Sequence, residues 1–140
     1  MEITFRGKRE DNNEWVYGYL LQNDDGTFIV YDSETDLSHN GIDRDLYATY
    51  FHKVSEGTVG QYINRDDLNS CDILMGDIVK FIDNNYKLES VGIVDYANCS
   101  FYINTGHSSH YRWTDYDVEV IGNVIDNPTL LDELLEEKLK

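Results

Sequence analysis

Apolar and polar positions alternate with a period of two through most of this chain, which reads as a succession of short strands. Glu14–Leu21, EWVYGYLL, sets Trp15, Tyr17, Tyr19 and Leu21 on one face, and their bulk assigns that face to the core. The turn formers Asn23-Asp24-Asp25-Gly26 follow, and Thr27–Tyr31 completes a predicted hairpin. Residues 32–50, DSETDLSHNGIDRDLYATY, lose the alternation and are rich in turn formers. A long loop with one short element is expected there. Thr58–Ile63 reads as a strand leading into a polar connection at Asn64–Ser70.

The stretch Ile73–Ile82, ILMGDIVKFI, is almost wholly apolar apart from a Gly-Asp step at its centre. A strand from Ile78 sets Ile78, Lys80 and Ile82 against Val79 and Phe81. Gly76 permits a backbone conformation that a Cβ would penalise, and Asp77 can accept hydrogen bonds from nearby amides. Gly76 and Asp77 therefore read as a structural corner between two buried segments. A second hairpin follows, Val91–Tyr96 and Phe101–Asn104 around Ala97–Ser100. Val118–Ile125 gives a last strand, with Val118, Val120 and Val124 opposite Ile121 and Ile125.

The period then changes to that of a helix. Asn127 reads as the N-cap and Pro128 as the first helical residue. Leu130, Leu131, Leu134, Leu135 and Leu139 share one face. So short a helix needs a partner. The body of the same protein can supply it, or a second copy can cover Leu131, Leu134 and Leu135.

Composition narrows the setting. The 140 residues carry 27 acidic and 11 basic side chains, a formal charge of −16, and each half contributes −8. That balance disfavours direct nucleic-acid binding, which depends on Lys and Arg neutralising phosphates. No stretch approaches a membrane span, and MEITFRGKRE lacks the apolar core of a secretion signal. Cys71 and Cys99 are far apart and form no motif, so free intracellular thiols are expected. With 41% apolar and 13% aromatic residues, one chain-length domain can bury a core.

Ile3–Lys8, Trp15–Tyr19, Thr58–Tyr62, Gly76–Phe81, Val91–Val94, Glu119–Val124 and the Asn127-Pro128 step, taken in order, resemble the YopX-type family of phage and prophage proteins. The set spans nearly the whole chain. Ile63–Asp72 departs from the family pattern, lacking its Thr-Gly pair and Lys-Asn-Gly type of turn. The resemblance implies a mainly β protein whose C-terminal part, about residues 71–127, is a small SH3-like barrel. An N-terminal β region, about 1–70, precedes it, and a short helix, about 128–140, follows. It also implies phage origin and the bacterial cytoplasm, and it supplies no catalytic residues.

Candidate chemistry is sparse. His107 and His110 have a spacing that can chelate a metal, with Asp95 and Cys99 upstream, but a second ligand pair is missing. Asn23–Gly26 and Asp43–Asp45 do not extend into a calcium loop. Neither a nucleophile elbow nor a phosphate-cradling loop is present. No cofactor and no metal are expected. Tyr96, Phe101, Tyr111 and Trp113 flank loops of the expected barrel and are the candidates for an aromatic contact surface. The expected function is a non-enzymatic accessory protein that binds another protein or itself. The alternatives are an acidic decoy that occupies a nucleic-acid-binding site on a host protein, and a metal-assisted hydrolase using His107 and His110.

Overall fold

Antiparallel pairing between neighbours in sequence builds most of the molecule. The computed structural model describes residues 3–36, 45–84 and 86–138. The chain divides into two compact units, residues 2–61 and residues 62–140.

In the first unit, β1 (Phe5–Lys8), β2 (Trp15–Asn23), β3 (Gly26–Asp36) and β4 (Asp45–Lys53) form an antiparallel sheet. The first residues of β5 (Gly60–Asp66) join β1, giving the order β4-β3-β2-β1-β5. The loop expected over residues 32–50 is instead largely a hairpin. β3 and β4 pair continuously from Phe28 opposite Lys53 to Asp36 opposite Asp45. A backbone ladder needs no apolar alternation, so the polar run at 32–36 hid a strand. Residues 37–44, which include His39 and Asp43, lie outside the described residues.

The expected inward face of β2 is also corrected. Tyr17 is 56% and Tyr19 54% exposed, and Leu21 is exposed as well. Val16, Gly18 and Leu20 take the inner side, where Ile29 and Val54 are buried. Gly18 marks that inner side. A Cβ there would come 2.4 Å from the Val30 carbonyl oxygen, so position 18 on that side admits only glycine.

In the second unit, the end of β5 pairs with β6 (Asp72–Leu74). A five-stranded sheet follows: β7 (Asp77–Asp83), β8 (Leu88–Ala97), β9 (Ser100–Asn104), β10 (Ser109–His110) and β11 (Asp117–Asn123). Their order is β10-β9-β8-β7-β11. Ile73, Val79, Phe81, Val94, Ile103, Trp113 and Val118 make the core. The expected barrel is not closed, since β10 and β11 are both edges among the described residues. The link between them is held otherwise. Arg65 donates to the Trp113 and Tyr116 carbonyls at 2.7 Å each, with its guanidinium over the Trp113 ring. Those carbonyls therefore bond to a side chain rather than to a neighbouring strand.

The corner before β7 has the expected chemistry. Gly76 has φ +95°, a region that L side chains rarely adopt. Its N–H donates to the Val94 carbonyl at 2.8 Å, and its own carbonyl accepts from Val124 at 3.0 Å. Asp77 is 1% exposed, and its Oδ2 accepts the Leu74 N–H at 2.8 Å. A buried carboxylate is thus fixed to the backbone of the strand before the turn.

The closing helix, α1 (Leu130–Lys138), begins two residues later than expected. Thr129 supplies the carbonyl for the first helical bond, from Glu133 at 3.0 Å. Asn127 instead turns back, its Oδ1 accepting the Asn123 N–H at 3.2 Å. Leu131, Leu134 and Leu135 are partly buried, and α1 packs beside β8.

Asp77→Ala strands the buried Leu74 N–H. It is expected to lower the unfolding free energy by about 1–3 kcal/mol in urea denaturation. Gly76→Ala is expected to cost about 1–2 kcal/mol through its positive φ alone.

Candidate functional site

A sheet face usually solvates polar side chains when it is not part of the core. On the outer face of the first unit the part centred on β2 does not follow that pattern, whereas Asp32, Glu34, Asp36 and Asp45 hold positions on the same face further along β3 and β4. Cross-strand partners share a face, so the register assembles it directly. Phe51 opposes Val30 and Val30 opposes Tyr19; Lys53 opposes Phe28 and Phe28 opposes Leu21. On the other flank, Arg6 opposes Tyr17 and Lys8 opposes Trp15. Phe51 is 58% exposed, and with Tyr17, Tyr19 and Leu21 it forms a continuous exposed group. Arg6 and Lys8 both lie against the Trp15 ring, at 4.8 and 5.3 Å from its centroid.

The opposite face of the same hairpin carries a stack of Tyr31 on Tyr50 and His52, with the Tyr31 hydroxyl 2.9 Å from His52 Nε2. At the rim, a cleft of about 210 Å³ is lined by Arg9, Glu10, Asp11, Phe51, His52 and Lys53. It is smaller than the volumes typical of small-molecule sites. Its cations are also engaged, Arg9 with Asp11 and Lys53 with Glu10.

The four aromatic candidates in the second unit do not form one surface. Tyr96 and Phe101 oppose one another and pack edge to face at 5.1 Å. Tyr111 stacks on Tyr102 at 4.6 Å, and Tyr102 opposes Asp95, on the other side of the sheet. Trp113 is 6% exposed and belongs to the core, its Nε1 donating to the Phe101 carbonyl at 3.1 Å. Phe101 packs against that same core. Tyr96 and Tyr111 remain exposed, but on opposite faces.

A hydrogen-bonded chain that sequence reasoning missed links the turn before β10, β10 itself and β7. Ser108 Oγ lies 3.0 Å from His110 Nε2, and His110 Nδ1 lies 3.1 Å from the Tyr116 hydroxyl. That hydroxyl donates to Asp83 at 3.4 Å. Burial, and then the Asp83 carboxylate, push the Tyr116 phenol above its ordinary range. The sequence of groups is that of an activated serine, but the amides around Ser108 are already used. Gly106 N–H donates to Asn104, and the His107 and Ser108 amides both donate to the Thr105 hydroxyl. An oxyanion site needs such amides free. The geometry fits a pinned turn.

His107 does not join that chain as a second ligand, and among the described residues no group of three His, Cys, Asp or Glu is placed to hold a metal. Cys71 and Cys99 are free thiols, both exposed. No described helix is long and apolar enough to cross a membrane. A separate polar group joins Tyr62, Asp66 and Asp72. The Tyr62 hydroxyl donates to Asp66 at 2.8 Å, and Asp66 opposes Asp72 across β5 and β6. That bond pushes the Tyr62 phenol up to about 12.

Fold and surface together define a mainly β protein of two units, with a short C-terminal helix and an aromatic sheet face open to solvent. The family model for the YopX protein matches residues 4–132, nearly the whole chain, and the chain belongs to that family. No curated protein matches it.

Two titrations check the carboxylate pair. Tyrosinate absorbance should show a phenol ionising near pH 12, and Asp66→Asn should bring it down toward the ordinary tyrosine range. Burial and the Asp66 carboxylate raise the Asp72 carboxyl. A raised carboxyl favours the folded state at acid pH, and that contribution disappears as pH rises through the folded value. Asp72→Asn should therefore raise Tm at pH 7, with the difference closing below the ordinary Asp range.

Proposed function

We propose that this YopX-family protein is a phage or prophage accessory protein that acts in the bacterial cytoplasm. In this reading it binds another protein and performs no turnover. One observation carries it: Tyr17, Tyr19 and Phe51 are each more than half exposed on one sheet face. Leaving large aromatic area in water forgoes roughly 25 cal/mol per Å², and exposed patches of this kind mark interaction sites. Tyrosine suits such a surface, since it combines a broad apolar ring with a polar tip.

A second reading, the acidic decoy, draws support from α1. Asp132, Glu133, Glu136 and Glu137 are all exposed on its nine residues. The two readings place the contact on different units of the chain and differ in salt dependence. A decoy complex should weaken steeply as ionic strength rises, because screening acts on exposed charges. An aromatic contact should change little.

Capture from a bacterial lysate with three forms of the chain separates them. Partners retained by the wild type and by Tyr96→Ser, yet lost by Tyr19→Ser/Phe51→Ser, support docking on the outer face. Partners kept by all three forms at low salt and released at high salt support the decoy instead. The double variant should stay folded, since substitution at exposed positions shifts stability by only about 1 kcal/mol. Thermal melting checks that first.

A further inference from the structure

We infer that β4 pairs with β4 of a second copy of this chain, antiparallel about a two-fold axis at Thr49. This goes beyond the docking reading above, since it uses the backbone edge of one strand and leaves the exposed face of β2 uncovered. Sheet edges are usually blunted by charge, proline or a bulge, because their unpaired N–H and C=O groups recruit further strands. Among the described residues β4 is the edge of its sheet. It carries neither a charged residue nor a proline over Leu46–Phe51, and its ladder to β3 has no register shift.

Hydrogen-bond polarity fixes which groups are on offer. The Val54 N–H donates to the Thr27 carbonyl at 3.0 Å, and bonding positions alternate from there along the register. Even-numbered residues of β4 therefore bond to β3, and Asp45, Tyr47, Thr49 and Phe51 direct their backbone groups outward. The Lys53 carbonyl, also outward, accepts the Glu10 N–H at 3.1 Å, so the open edge ends at Phe51. A strand laid antiparallel about Thr49 sets Thr49 against its own copy and Tyr47 against Phe51, each pair at hydrogen-bonding positions.

The sequence of β4 selects that occupant and that register. A chain of charge −16 repels its own copies, so a self-contact must match charges locally. Counted in both directions from Thr49, DLYATYFHK sets Asp45 opposite Lys53 at each end. Asp36 shares the row of Asp45, so the cation of each copy meets the acidic end of the other's β3–β4 hairpin. Lys53 is only loosely held, 3.9 Å from Glu10 with both side chains about half exposed, and such pairs exchange easily. Phe51, which is 58% exposed, comes opposite Tyr47 and continues the row of Tyr19 and Val30 into the second copy. Other registers lose the match. Centring on Ala48 sets Asp45 against Phe51, and centring on Tyr50 sets Lys53 against Tyr47.

Sedimentation velocity on the full chain tests this. One strand pair is a small interface, so the wild type should run as a dimer at about 100 μM chain. Thr49→Pro removes an outward N–H without touching the ladder to β3, and should give a monomer with little change in Tm. Asp45→Lys should raise the dissociation constant at least about tenfold, because each like-charge pair occurs twice. Asp45→Lys/Lys53→Asp should restore it. Cross-linking gives a second readout that does not depend on the proline variant. The two Thr49 Cα atoms would lie about 5.5 Å apart, within disulfide reach. With Cys71 and Cys99 replaced by serine, oxidised Thr49→Cys should form a covalent dimer and Tyr17→Cys should not. A wild type that is monomeric at that concentration would overturn the inference, as would a dimer that survives Thr49→Pro. So would an Asp45→Lys chain that dimerises normally, a charge swap that restores nothing, or equal cross-linking at positions 49 and 17.

Discussion

An antiparallel sheet has two faces, and a unit of some sixty residues has material to cover only one of them. That constraint governs the first unit. Its inward residues on β2, Val16, Gly18 and Leu20, face the side where Ile29 and Val54 are buried. Tyr17, Tyr19 and Leu21 of the same strand are left outside. In most proteins the uncovered face would be polar. Here its part around β2 presents Tyr17, Tyr19, Leu21 and Phe51, and the functional reading follows from that local inversion.

The second unit solves a different problem, which is how an acidic chain keeps carboxylates near its core. Its answer is to give them backbone amides. Asp77 holds the Leu74 N–H, and Asp67 accepts from Val120, Cys71 and Asn69. Burial pushes the Asp67 carboxyl up, but those three amides outweigh it and hold it below the ordinary value. A carboxylate satisfied in this way fixes turn geometry as firmly as an apolar contact does. Asp67 ties the β5–β6 connection to β11, and Asp77 ties β6 to β7. The acidic composition is therefore partly structural.

Much of this was legible in the sequence, and the failures have physical causes. Many strand positions followed from alternation, and Gly76-Asp77 announced its corner because the pair combines left-handed freedom with a local acceptor. Alternation alone does not say which face points inward. The available signal was the lone glycine within an aromatic strand, which marks a close backbone approach on the inner side. The β3–β4 hairpin escaped because Asp32–Asp36 pair through their backbone, while Leu46–Phe51 held the β-forming residues that hinted at it. The chain from Ser108 to Asp83 joins residues 25 positions apart, and no local pattern encodes that distance. Trp113 read as a surface anchor because aromatic residues near loops often are. Arg65, 48 positions away, pins its backbone inside instead.

Arg65 also explains why the second sheet stays open. Closing it would require the link between β10 and β11 to present backbone groups to a neighbouring strand. The guanidinium takes the Trp113 and Tyr116 carbonyls in a fork and lies against the indole, so the link is satisfied without a sixth strand. Burial lowers the Arg65 guanidinium from its usual value, and Asp115 and Asp117 oppose that shift, so the cation is held by both carbonyl dipoles and carboxylates. Lysine could neither fork between two carbonyls nor stack on the ring. One cation, placed where a barrel would need a strand, lets the core around Trp113 close while the sheet itself does not.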